Sequence, residues 1–141
     1  MKKLTKLSKT QSQKLIKYYL DGANEDMKTV ESLFDTKRYY AGLFFLHLVI
    51  EKVLKALVVQ NAKMAPPFTH DLMLLSELAK IKISSRQKDL LRVMSQFNVR
   101  SRYDDYKKSF YKLATRDYAL EYFNKGKKIF IWLKQFTQKA K

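Results

Sequence analysis

His47, Glu51 and Lys55 recur every fourth residue within 39–60, YYAGLFFLHLVIEKVLKALVVQ. On a helix they form one polar line along an otherwise apolar rod. Such a line either carries a core helix's few polar groups out to solvent or forms one wall of a binding cleft. A second group is Thr69-His70-Asp71, which follows two prolines. It either begins a helix, with His70 covering the first turn, or presents His70 to a ligand. The third is Arg100, Arg102, Tyr103, Asp104, Asp105 and Tyr106. Arginines this close, with tyrosines between and beside them, suit phosphate contact together with base stacking. The alternative is an Arg–Asp network that ties a helix end to its neighbours.

Other chemistries lack their residues. Two His and no Cys leave a zinc site dependent on carboxylates, so no metal is expected. Three isolated Gly cannot make a phosphate-cradling loop, no Ser-His-Asp arrangement is suggested, and no cofactor is expected.

The elements that must hold these groups read as helices. Residues 39–60 are apolar on almost every face, which marks a helix surrounded by other helices. A membrane span needs about 20 predominantly apolar residues, and His47, Glu51, Lys52 and Lys55 interrupt this run. Upstream, Leu15/Ile16, Tyr19/Leu20, Ala23, Met27, Val30 and Leu33/Phe34 predict an amphipathic helix over 11–34. Gly22 inside it costs roughly 1 kcal/mol relative to Ala. The short connection 35–38 makes the first two helices antiparallel neighbours.

Downstream, Pro66 and Pro67 end the central helix. Thr69 is the expected N-cap of a short helix over 71–80, with Asp71 in its first turn. Ser84 or Ser85 caps the next helix, which runs through Leu90, Leu91, Met94 and Phe97 to Arg100. Residues 100–113 show no clear period and read as an ordered polar turn. Thr115 and Asp117 restart a helix whose face is Ala119, Tyr122, Gly126, Ile129/Phe130, Leu133 and Phe136. The expected fold is all-α: an antiparallel up-and-down four-helix bundle with one additional short helix, over 11–141, preceded by a flexible basic tail over 1–10.

The net charge of +16 is unevenly placed. Residues 1–20 and 125–141 carry six Lys each and no acid, while the rest holds 17 basic and 13 acidic residues. Basic ends on a nearly balanced body attract RNA, DNA or other anions through salt-sensitive, sequence-independent contacts; lysine-rich solubility is the plainer explanation. In an up-and-down bundle both lysine-rich ends share one pole, with Arg100 and Arg102 at the other. The basic N-terminus has no apolar stretch of a secretory signal, and the expected location is the cytoplasm.

In this order and spacing, Tyr39-Tyr40-Ala41, Glu51-Lys52 with Lys55-Ala56-Leu57, Thr69-His70-Asp71-Leu72 and Ser101-Arg102-Tyr103 with Asp105 resemble the HEPN family. The resemblance spans roughly residues 15–136 and implies a helical bundle that is usually a homodimer. Many members are metal-independent RNases in which a His follows an Arg by four to six residues and shares the chemistry with it. Here Asp105, Tyr106 and Lys107 follow Arg100 at that spacing, and Lys107, Lys108 and Ser109 follow Arg102. No His follows either, and His47 and His70 belong to other elements. Other members are binding subunits beside a minimal nucleotidyltransferase, often in toxin–antitoxin modules.

The resemblance therefore implies a nucleotide- or RNA-binding protein that leaves catalysis to such a partner. Arg100 and Arg102 would meet phosphate, Tyr103 would stack and Asp105 would orient an arginine. His47, Glu51, Lys55 and His70 would line the cleft. The alternatives are an RNase with a substituted acid–base residue and a plain protein-interaction module.

Overall fold

The computed structural model describes residues 6–102 and 104–137, with the backbone alone for 101 and 104–106. Among these residues there are six helices and no strand: α1 (Lys9–Asp35), α2 (Tyr39–Ala62), α3 (Leu72–Leu78), α4 (Ser85–Arg102), α5 (Asp104–Leu113) and α6 (Arg116–Gln135). No helix among them is long and apolar enough to cross a membrane.

α2 is the axis of the molecule and packs against α1, α3, α4 and α6. Leu43, Leu46, Val49, Ile50, Val53, Leu54 and Leu57 are fully buried along it, as an all-round apolar helix requires. Two glycines permit its close fit to α1. A Cβ on Gly42 would lie 2.5 Å from Cε1 of Phe34, so the ring occupies the space a side chain would need. A Cβ on Gly22 would lie 3.2 Å from Cδ of Lys52, whose Nζ passes on to Asp26 Oδ2 at 2.6 Å.

The helix ends follow local hydrogen-bonding rules, and several differ from the sequence expectation. Ser8 caps α1: its Oγ accepts from the Gln11 N–H at 3.1 Å, and Gln11 Oε1 accepts from the Ser8 N–H at 2.9 Å. This capping box starts α1 two residues before the expected position. Just ahead of it, the Leu7 N–H donates to the Lys63 carbonyl at 2.9 Å. The expected tail over 1–10 is thus already anchored from residue 6 onward; residues 1–5 lie outside the described residues.

Asp71, not Thr69, caps α3, because its carboxylate accepts from the N–H groups of both Met73 and Leu74. The Thr69 hydroxyl accepts from the Asp71 N–H at 3.1 Å and so steadies the cap itself. Ser84 caps α4 through a second box with Gln87, and Thr115 caps α6. The reversals after α1, α2 and α3 place Lys37, Lys63 and Lys80 in the left-handed region, at φ 61, 58 and 58°.

The largest departure is over 100–113, expected as a turn. α4 continues to Arg102, and 104–113 form α5. Phe110 is fully buried, stacked on Phe97 with centroids 5.5 Å apart, while Tyr111 and Leu113 are exposed. The apolar positions of α5, Tyr106, Phe110 and Leu113, do stand at i, i+4 and i+7, a helical spacing that spans only two turns among lysines and aspartates.

Both described chain ends meet the last turns of α2. Leu7 bonds Lys63, and Gln60 Nε2 donates to the Phe136 carbonyl at 2.7 Å. The lysines of the two ends do not all gather there, however. Lys134 Nζ donates to Asn24 Oδ1 at 2.9 Å, about fifteen residues into α1 and so roughly 22 Å from its start.

Candidate functional site

The polar line of α2 is almost wholly covered: His47 is 0% and Glu51 5% exposed. What covers it is the segment after the two prolines, which runs back along α2 and delivers His70. That segment is fastened at its end by the Leu72 N–H, which donates to Ser95 Oγ of α4 at 3.1 Å. His70 therefore sits between α2 and α4.

The side chains form one continuous run. Lys55 Nζ donates to Glu51 Oε2 at 2.9 Å, and His70 Nδ1 lies 2.8 Å from Glu51 Oε1. Arg102 Nη1 lies 3.3 Å from His70 Nε2 and donates to Asn98 Oδ1 at 3.4 Å. His47 fixes the backbone of the same segment, with its Nε2 3.0 Å from the His70 carbonyl oxygen.

These partners assign the protons. A carboxylate only accepts, so His70 Nδ1 carries a hydrogen and donates it to Glu51. In the neutral ring Nε2 keeps a lone pair, and Arg102, which only donates, faces it. His47 must donate from Nε2 to a carbonyl, which leaves its buried Nδ1 bare and without a hydrogen bond. That atom is 3.8 Å from Glu51 Oε1. Burial pushes the His47 pKa down, against the opposing pull of the His70 carbonyl and the Glu51 charge. His47 is therefore neutral near pH 7, and its approach to Glu51 is not an ion pair.

The run passes from a buried carboxylate to a partly exposed imidazole and ends at an exposed guanidinium. A cavity of about 510 Å³ opens beside it, where His70 and Met73 face Arg92, Ser95 and Val99 of α4. An exposed arginine held beside an imidazole suits contact with phosphate or carboxylate oxygens. No group of three His, Cys, Asp or Glu side chains suited to a metal occurs among the described residues.

Of the residues singled out in the sequence, His47, Glu51, Lys55, His70 and Arg102 come together. Arg100 does not join them. Its Nη2 donates to Ser109 Oγ at 3.1 Å and its guanidinium carbon lies 5.6 Å above the Phe110 ring, so it clamps α5. Tyr103 lies outside the described residues, as do the side chains of Asp104, Asp105 and Tyr106. The arginines were expected at the pole opposite the lysines. Arg100 lies over Phe110, whose ring meets Tyr40 at the start of α2 with centroids 5.4 Å apart. The Arg102 guanidinium reaches His70, which bonds Glu51 in the middle of α2. Asn98 and Ser95 were missed. Asn98 stands one helical turn before Arg102, a spacing that marks it as a partner; Ser95 carries no such signal.

A family model described as HEPN domain matches residues 16–136. No curated protein and no solved structure matches the chain.

Proposed function

The chain belongs to the HEPN domain family, and on that premise we propose that it binds a nucleotide or RNA, with the phosphate held at Arg102 beside His70. Membership is consistent with a nucleotide- or RNA-related role. One observation carries the proposal: an exposed guanidinium is positioned through His70 by the buried Glu51, which Lys55 pairs from its other oxygen. Holding the donor in place beforehand lowers the ordering cost of binding. The lysine-rich ends add a salt-sensitive attraction without sequence preference.

In this reading the chain is a cytoplasmic homodimer and the non-catalytic partner of a minimal nucleotidyltransferase, as in a toxin–antitoxin module. Its frame is an antiparallel up-and-down arrangement of α1, α2, α4 and α6, with α3 and α5 as short additions.

The test compares wild type with Arg102→Ala on one labelled single-stranded RNA, at low and high salt. The expected result is intact RNA, retained about tenfold more weakly by the variant. Equal retention by both proteins, lost as salt rises, would assign binding to the lysine ends alone.

A second reading rests on the proton assignment. With Nδ1–H held by Glu51, the Nε2 lone pair of His70 becomes that of an oriented general base once a phosphate draws the Arg102 guanidinium away from it. It would take the proton of an RNA 2′-hydroxyl as that oxygen attacks the adjacent phosphorus, forming a 2′,3′-cyclic phosphate and breaking the P–O5′ bond. The leaving 5′ oxygen is protonated by water or the imidazolium, with Arg102 at the phosphate charge. Scission of the RNA by wild type, abolished in His70→Gln, would establish this reading over the binding one.

A further inference from the structure

A second concavity has no part in that site. α4 and α6 run antiparallel on α2 and touch where Phe97 meets Tyr118 and Tyr122, at centroid distances of 6.4 and 5.5 Å. Beyond that contact, towards the start of α4 and the end of α6, a cleft of about 700 Å³ separates them. This lies within the roughly 300–1,000 Å³ of small-molecule sites. It shares no lining residue with the cavity beside His70.

Its apolar lining is Leu90 and Val93 of α4 and Ile129 and Trp132 of α6. Its charged lining is Arg86, Lys125 and Lys128 against a single acid, Asp89. Asp89 is engaged by Arg92 at 2.9 Å, and Lys125 by Glu121 at 2.6 Å, with its ammonium 5.1 Å from the Tyr122 ring centroid. Arg86 and Lys128 have no carboxylate partner among the described residues. An apolar, aromatic-walled cleft with two uncommitted cations is complementary to a ring system bearing a negative charge.

Two other occupants fit less well. A second copy would bring two cationic clefts together in a chain already at +16. A partner helix needs a through-groove, whereas this cleft is closed at one end by the Phe97–Tyr122 contact. We propose that the cleft between α4 and α6 is a separate binding site for a small aromatic anion.

Trp132 is the chain's only tryptophan, so its emission reports on the cleft directly. The experiment titrates the full chain with anilinonaphthalene sulfonate. Saturable one-to-one quenching of Trp132 is expected, about tenfold weaker in the double variant Arg86→Gln, Lys128→Gln. Val93→Phe, which narrows the cleft, should weaken it too, with helical circular dichroism retained. Arg102→Ala should leave it unchanged, which separates this site from the RNA-binding one. Equal affinity in wild type and the double variant, or no response of Trp132, would overturn the proposal. So would a dimer that Val93→Phe dissociates, since the cleft would then be a contact between copies.

Discussion

Glu51 and Lys52 are adjacent in sequence, about 100° apart around α2, and serve different neighbours in different ways. Lys52 turns towards α1 and meets Asp26 at 2.6 Å, through space left by Gly22. That pair is closed: each charge answers the other, and α1 and α2 are pinned together. Glu51 turns towards α3 and α4 and meets two cation-capable partners, Lys55 and His70. That group is open, because its hydrogen bonding continues through His70 to an exposed Arg102. A closed pair contributes to packing. An open run also fixes the position and proton state of groups that face solvent, which is what a binding site requires.

The comparison is most directly broken through its two acids. Glu51→Ala leaves the largely covered Lys55 without its partner and His70 without its orienting acceptor, and should cost about 3 kcal/mol or more in denaturant unfolding. Asp26→Ala should cost less, about 1–3 kcal/mol, since Lys52 can turn out to water. Retention of RNA should fall with Glu51→Ala and persist with Asp26→Ala in chains that remain folded. If both substitutions impair retention alike, the division between open and closed groups fails.

A smaller effect is expected with pH. His47 has a lowered pKa when folded, so between that value and the ordinary 6.5 the unfolded chain binds the extra proton. Stability is full above 6.5 and declines as pH falls below it, by up to about 1.4 kcal/mol per pH unit. Unfolding followed from about pH 7 to pH 5 should lose this component of its slope in His47→Gln.

Smallest of all is Gly22→Ala. The gain in helix propensity, roughly 1 kcal/mol, is offset by the crowding of Lys52, and the net change should stay within about 1 kcal/mol. Thermal unfolding measures it. A larger loss would mean that the Lys52–Asp26 pair tolerates no displacement.

How much of this was legible beforehand depended on whether a residue's partners were local. The central helix was plain from its all-round apolar surface, and its polar line from a spacing of four. The Thr115 cap was equally local. That His70 would close on Glu51 was not readable, because it depends on the path of residues 63–71. The approach of Arg102 to His70 depends further on how far α4 continues. α5 escaped notice because its period, Tyr106, Phe110 and Leu113, spans only two turns among charged residues. The split between Arg100 and Arg102 followed from the same gap: without a helix at 104–113, nothing was there for Arg100 to clamp.

The three lysines at positive φ leave headroom for thermal adaptation. Lys37, Lys63 and Lys80 each occupy a conformation that disfavours a side chain by about 1–2 kcal/mol, at helix ends where glycine is the commonest solution. A lineage moving to a hotter niche could replace them one at a time, gaining a few degrees of melting temperature with each step. All three lie outside the packed interior, so that gain would not require rebuilding the core.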